Sequence, residues 1–120
     1  MAGGPASTGF LVEEEVFNGH YRVVRIDTGD SRVYSIDYYR LLDREPECTS
    51  SLERGGARLC YIDISEDCQA VVSIVQGRVE LVNLRLVDRG QYGKPLSLQE
   101  AREMCLERAE KWLEKEGYAA

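Results

Sequence analysis

Hydrophobic and polar residues alternate along most of residues 10–89, with the period of two that is typical of strands half-buried in a sheet. Tyr34, Ile36 and Tyr38, for example, fall on one face of such a segment. The dipeptides Asn-Gly at 18–19 and Gln-Gly at 76–77 predict tight turns between neighbouring strands. The pattern predicts six strands: Phe10–Phe17, Tyr21–Asp27, Arg32–Leu42, 59–64, 70–75 and Arg78–Asp88.

The alternation of hydrophobic and polar residues is interrupted twice within this region. Residues 43–57 place Pro46, Gly55 and Gly56 among polar residues, which predicts one long loop. In the strand at 78–88 the apolar phase shifts at Val82, because the residues before and after it fall on opposite faces. This strand is therefore expected either to carry a β-bulge or to be covered on both sides.

The C-terminal quarter has the period of an amphipathic helix. Ser97 and Glu100 form the Ser-x-x-Glu pattern of a capping box, and Gly117 is a suitable stop. The helix carries one apolar stripe, which predicts burial of Leu98, Cys105 and Trp112 against the strands. The full stripe contains Leu98, Ala101, Cys105, Leu106, Ala109, Trp112 and Leu113.

These elements predict an α+β fold, an antiparallel β-meander of about six strands with the C-terminal amphipathic helix packed on it. The sheet is expected to be curled or to form a partly open barrel. Residues 10–118 are predicted to be a single domain, and the small residues at 1–9 a flexible tail. Strands closed by a C-terminal helix with a tryptophan, here Trp112, resemble the plan of pleckstrin-homology-like domains. In that family the phosphoinositide-binding members carry basic residues in the first hairpin, where this chain has Glu13, Glu14 and Glu15.

The net charge of −6 and the isoelectric point near 4.8 argue against binding to nucleic acid or to an anionic membrane. No segment has the length and hydrophobicity of a transmembrane helix, and residues 1–9 lack the pattern of a signal peptide. A cytoplasmic location is therefore predicted. No cofactor is predicted, because no phosphate-binding loop occurs.

The four cysteines, Cys48, Cys60, Cys68 and Cys105, form no Cys-x-x-Cys pair, and His20 is the only histidine. Zinc sites usually take ligands from closely spaced pairs, so no metal site is predicted. Since Cys60 and Cys105 fall in apolar patterns, they are predicted to be buried thiols. All four cysteines are expected to be reduced.

One tripeptide bears on catalysis. Asp27-Thr28-Gly29 resembles the signature of retroviral-type aspartic proteases, which implies a homodimer with two close Asp27 carboxylates sharing acid and base roles. Asp30 and Arg25 depart from that family's pattern, and Asp-Thr-Gly between two strands is also an ordinary turn. The sequence therefore favours a non-enzymatic turn, with the aspartic-protease-like homodimer as the less favoured alternative.

The remaining features favour binding to another protein. Tyr38 and Tyr39 are adjacent in one strand, so they must face opposite sides, and the outward one is a candidate anchor. Glu13, Glu14 and Glu15 supply an acidic surface that would attract a basic or neutral partner. The predicted function is a small acidic non-catalytic protein-binding module, such as an adaptor, an inhibitor or a regulatory subunit. The alternative is a small-ligand-binding barrel closed by the C-terminal helix, and the oligomeric state is left open.

Overall fold

A computed structural model describes residues 10–17 and 21–119, with side chains from residue 22 onward. The predicted tail at 1–9 and the predicted turn at 18–19 lie outside the described residues. Seven strands and one helix follow each other along the chain. They are β1 Phe10–Phe17, β2 Tyr21–Asp27, β3 Arg32–Leu42, β4 Ser50–Arg54, β5 Ala57–Asp63, β6 Cys68–Val75, β7 Arg78–Asp88 and α1 Leu98–Lys115.

All strands belong to one antiparallel sheet with the order β1-β2-β3-β7-β6-β5-β4. The sheet is open, since β1 and β4 are its two edges. The predicted α+β class, the antiparallel sheet and the C-terminal helix are confirmed. Two runs of hairpins, β1-β2-β3 and β4-β5-β6-β7, are joined where β3 pairs with β7.

The prediction of one long loop at 43–57 is wrong, because this segment contains β4 and its last residue begins β5. Strand β4 has the sequence Ser-Ser-Leu-Glu-Arg, and all five of its residues are exposed. The sequence did not predict β4 because the strand lacks alternating apolar residues. A solvent-exposed edge strand needs no buried apolar face. The strand is held through its pairing with β5, from Ser50 opposite Tyr61 to Arg54 opposite Ala57.

The phase change in β7 is a β-bulge. Asn83 pairs with Val71 and Leu81 pairs with Val72, so Val82 is the extra residue of β7. On the other side of β7 the register to β3 is also interrupted at this point. Buried residues therefore change phase at Val82, as the sequence predicted.

The core lies between α1 and one face of the sheet, which we call the inner face. Helix α1 contacts β1, β2, β3, β6 and β7. Side chains from β2, β3, β5, β6 and β7 fill the interior, and α1 contributes a row of small and apolar residues. The buried sheet residues include Val23, Tyr34, Ile36, Cys60, Ile62, Ala70, Val72, Leu81, Leu84 and Leu86, and those of α1 are Leu98, Ala101, Cys105, Ala109 and Leu113.

Helix α1 begins with the predicted capping box. The Ser97 hydroxyl accepts a hydrogen bond from the Glu100 amide at 3.0 Å, and the Glu100 carboxylate accepts one from the Ser97 amide at 2.9 Å. The Ser97 amide and the nearby Lys94 ammonium lower the pKa of Glu100 because both favour its charged form.

We expect Ser97→Ala to lower the free energy of unfolding by about 1 kcal/mol, because it removes an acceptor for an otherwise unpaired amide of the first turn. Urea denaturation checks this value. Ser73→Ala, at a half-buried strand position, is the control for loss of a serine hydroxyl elsewhere. Equal losses in the two variants would contradict a specific role for the cap.

The helix ends as the sequence predicted, at Gly117, whose φ is +77°. The Gly117 amide donates to the Glu114 carbonyl and the Tyr118 amide to the Leu113 carbonyl, which is the Schellman arrangement. Arg44 donates hydrogen bonds to the carbonyls of Glu116 and Gly117, and its guanidinium lies 4.1 Å from the centre of the Tyr118 ring. A cation is favourable at this negative end of the helix dipole.

The expected burial of the helix stripe needs one correction. Leu98 and Cys105 are buried, but Trp112 is only half-buried at the edge of the core, as is Leu106. Trp112 contacts the Tyr118 ring, with the ring centres 5.4 Å apart. The largest side chain of the stripe therefore covers the margin of the core, and the smaller Ala101, Cys105 and Ala109 lie in its interior.

The expectation that all cysteines are reduced is also wrong. Cys48 is bonded to Cys60, and Cys68 to Cys105. The first disulfide ties the segment before β4 to β5, and the second ties the start of β6 to the middle of α1. Among the described residues no cysteine is free.

Candidate functional site

The face of the sheet opposite α1, which we call the outer face, exposes several large apolar side chains. Tyr39 and Leu41 of β3 are each 54% exposed, and Val82 at the β7 bulge is 36% exposed. Leu52 of β4 and Val75 of β6 are exposed as well. Single exposed apolar residues are ordinary on protein surfaces, whereas a group of them on one face is a candidate interaction surface. We call Tyr39, Leu41 and Val82 the Tyr39 patch.

Strand register places Leu41 and Leu52 in one row across the outer face. Leu41 lies opposite Glu80, which lies opposite Ser73, and the row continues through Leu59 to Leu52. Neighbouring strands are about 4.8 Å apart, so the row from β3 to β4 spans roughly 19 Å. The outer face therefore carries apolar side chains at both ends of this row, with the polar residues Glu80 and Ser73 between Leu41 and Leu59.

The structure resolves which of the two adjacent tyrosines faces outward. Tyr38 is half-buried and packs against the core, whereas Tyr39 lies on the outer face. The Tyr39 hydroxyl donates to the Glu80 carboxylate and accepts a bond of 3.4 Å from Arg78. The hydrogen bonds from Tyr39 and Arg78 both lower the pKa of Glu80. Contacts with β7 thus fix the ring on the surface of the sheet.

The acidic triplet lies on β1, at one edge of the sheet. Glu13, Glu14 and Glu15 pair in register with Arg25, Val24 and Val23 of β2. Val23 in turn lies opposite Ile36 of β3, so Glu15 and Ile36 are two strands apart, about 10 Å. The triplet and the Tyr39 patch therefore belong to the same half of the sheet but are not in contact through strand pairing.

The other predicted tyrosines divide between core and surface. Tyr34 is fully buried on the inner face, and its hydroxyl donates to the Leu96 carbonyl. Burial and the nearby Asp88 carboxylate raise the pKa of Tyr34. Tyr61 is half-buried on β5, and the side chain of Tyr21 lies outside the described residues.

Asp27 lies at the end of β2, where a turn leads into β3. Its carboxylate forms an ion pair of 3.2 Å with Arg25. Thr28 closes the turn, because its amide donates to the Ser31 carbonyl at 2.9 Å and its hydroxyl lies 2.7 Å from the Ser31 hydroxyl. Gly29 in this turn has a φ of +94°. Within one chain Asp27 is thus part of a turn, and a dimer that joins two Asp27 carboxylates remains an untested alternative.

Five clefts lined by described residues lie on the surface and open to solvent. The space between α1 and the inner face is filled by buried side chains. One of the clefts is lined by Asp27, Arg32 and Asp88, at the end of the sheet away from Tyr39.

The sequence predicted Tyr39 but missed its apolar neighbours. Leu41 is out of phase with the buried residues of β3, and this signal could have identified it. Val82 could not be assigned to a face before the bulge was known. Asp88 was also missed, although it follows Leu84 and Leu86 in the buried phase of β7.

No family model matches the chain, and no curated protein or solved structure shows significant similarity to it.

Proposed function

We propose that the protein is a small acidic non-catalytic module that binds another protein through the outer face of its sheet, with Tyr39 as the anchor. The observation that carries this proposal is the Tyr39 patch, in which three apolar side chains are exposed on the paired strands β3 and β7. Aromatic residues are enriched at the centres of interfaces because a large ring is buried at a small cost in conformational entropy.

Two features support a surface interaction over a ligand enclosed in a barrel. The sheet is open, and the clefts along the described residues face solvent rather than forming an internal cavity. An enclosed apolar pocket is the usual site for a small hydrophobic ligand. The Tyr39 patch instead offers a shallow surface whose central ring is already ordered by Glu80 and Arg78.

The partner is proposed to be basic or neutral. The chain has a net charge of −6, which attracts a cationic surface and repels an anionic one. Glu13, Glu14 and Glu15 on the β1 edge add to this field. Electrostatic attraction of this kind acts mainly on the association rate and weakens as salt shortens the Debye length to about 10 Å or less.

The cellular location bears on which partners are available. Along the described residues no helix is long and apolar enough to cross a membrane. The predicted cytoplasmic location stays a prediction, and the two disulfides weigh against it, since such bonds persist mainly in oxidising compartments. The partner is therefore best sought under oxidising as well as reducing conditions.

A photocrosslinking experiment tests the proposal. A benzophenone amino acid at Leu41 is expected to capture a protein partner from native lysate, whereas the same group at Glu110 on the exposed side of α1 is not. The captured protein is then purified for binding measurements. Capture of the same proteins from both positions, or of none from Leu41, would contradict binding through the outer face.

With that partner, Tyr39→Ala is expected to weaken binding by about 2 kcal/mol, or roughly thirtyfold in Kd, because it removes a central interface ring. Tyr39→Phe keeps the ring and should retain most of the affinity. Glu110→Ala is the control on the helix, and circular dichroism checks that each variant is folded. Equal affinities of wild type and Tyr39→Ala would exclude Tyr39 as the anchor.

A further inference from the structure

A polar cleft lies at the end of the sheet where β2, β3 and β7 meet. Asp27 of β2 pairs with Arg32 of β3, and Arg32 pairs with Asp88 of β7, so these three residues form one row. The turn after β2 and the turn after β7 form the walls of the cleft. This site is distinct from the Tyr39 patch, which lies at the opposite end of β3.

Asp88 is the buried acid of this cleft. It is 0% exposed, and it is the one charged residue in the buried class along the described chain. One carboxylate oxygen, Oδ1, accepts a hydrogen bond of 2.8 Å from the Gly90 amide. The other, Oδ2, has no hydrogen-bond partner among the described residues. A buried carboxylate oxygen without a donor is unfavourable, and a bound molecule that supplies a donor would relieve this cost.

The cleft also carries positive charge. Arg32 and Arg89 line it, and neither side chain forms an ion pair or hydrogen bond with the described residues. Arg32 lies directly opposite Asp88 in register, yet the two are not joined by an ion pair. A simple cation would be repelled by two guanidinium groups, and a simple anion by the carboxylates. The cleft therefore matches a ligand that carries both charges.

We propose that this cleft binds a small zwitterion of the α-amino acid class, with its ammonium group on Asp88 and its carboxylate on Arg32 and Arg89. An ammonium group supplies the donor that Oδ2 lacks, and a guanidinium is suited to a carboxylate because it can donate two parallel hydrogen bonds.

The backbone around Asp88 is already arranged for such a ligand. The Gln91 side chain accepts a hydrogen bond of 2.6 Å from the Arg89 amide and donates one of 3.1 Å to the Val87 carbonyl. Together with the bond from Gly90 to Asp88, these contacts fix the turn after β7. Entry to Oδ2 requires a lining side chain to move, and exposed Arg89 is suited to do so. Once the ligand is bound, the Arg89 side chain would become ordered over the carboxylate of the ligand.

An NMR titration of the full chain with glycine tests this proposal. The amide signals of Gly90 and Arg89 are expected to shift and saturate, because the Gly90 amide is bonded to Asp88 itself. Acetate lacks the amine and methylamine lacks the carboxylate, so each loses one charge-assisted contact. Each should bind at least about tenfold more weakly than glycine. β-Alanine tests whether the spacing of the two charges matters.

Asp88→Asn keeps an acceptor for the Gly90 amide but cannot offer a carboxylate to the ammonium group. We expect it to weaken glycine binding about tenfold or more. Arg32→Gln tests the other charge and serves as the second variant if Asp88→Asn does not fold. Asp37→Asn, at a half-buried acid in the middle of β3 that does not line the cleft, is the matched control. Absence of saturable shifts with both glycine and β-alanine overturns the proposal, as do equal affinities in wild type, Asp88→Asn and Arg32→Gln.

Discussion

Removing the disulfide between Cys68 and Cys105, by replacing both with alanine, is expected to lower the free energy of unfolding by about 4 kcal/mol. The two residues are separated by 37 positions and join β6 to α1. A cross-link between distant residues restricts the unfolded chain, and the loss of that restriction grows with loop length. Denaturant unfolding of the variant and the wild type measures the difference.

The disulfide between Cys48 and Cys60 provides the matched comparison. Its two cysteines are 12 positions apart. Replacing both with alanine should lower the free energy of unfolding by about 3 kcal/mol, which is less than the loss expected for the disulfide between Cys68 and Cys105. Addition of a reductant to the wild type should reproduce both losses together. If the reduced and oxidised wild type unfold at the same denaturant concentration, the disulfides do not contribute to stability and this prediction is wrong.

The pairing of the cysteines could not be predicted from their spacing. Four cysteines allow three connectivities, and nothing in the chain indicates that Cys48 lies beside Cys60 until β4 and β5 are seen to be paired. Cys60 and Cys105 were placed correctly in apolar surroundings, but a buried thiol and a buried disulfide have the same local pattern. The prediction of reduced cysteines therefore failed because the local pattern does not show which strands and helix bring two cysteines together.

The elements that were predicted correctly are those with strong local signals. The capping box of Ser97 and Glu100 defines the start of α1, and Gly117 its end. The phase change at Val82 defines the bulge in β7. Strand β4 has no such signal, since its residues are polar and exposed. The pairing of β3 with β7 depends on contacts between residues far apart in the chain, which a local pattern does not contain.

The same division applies to the candidate sites. Adjacency of Tyr38 and Tyr39 was enough to predict that one of them faces outward, and the structure identifies it as Tyr39. The cleft at Asp88 was not predicted because Asp27, Arg32 and Asp88, which line it, come from three different strands, β2, β3 and β7. Asp27 was noticed for a catalytic resemblance, whereas its position beside Arg32 in the sheet is visible only from the strand register.

Tyr34→Ala is expected to lower the free energy of unfolding by about 4 kcal/mol, because the ring is fully buried and its removal leaves a cavity in the core. Tyr34→Phe keeps the ring but removes the hydrogen bond to the Leu96 carbonyl, and should cost about 1 to 2 kcal/mol. Tyr39→Phe, at an exposed tyrosine, is the control and should have little effect. Urea denaturation of the three variants measures these differences at neutral pH.

The pH dependence of stability distinguishes the contribution of the Tyr34 hydroxyl from that of its ring. Burial, and then the Asp88 carboxylate, raise the pKa of Tyr34, so the folded protein favours the neutral phenol. Its contribution to stability is complete below the unfolded pKa of about 10 and is lost as the pH rises through the folded value. Tyr34→Phe should therefore lose less stability than the wild type above this pH. Tyr34→Phe will still lose some stability at alkaline pH, because burial also raises the pKa of Tyr118 and this second tyrosine ionises on unfolding. Identical alkaline unfolding of wild type and Tyr34→Phe would contradict a contribution of Tyr34 ionisation to the loss of stability.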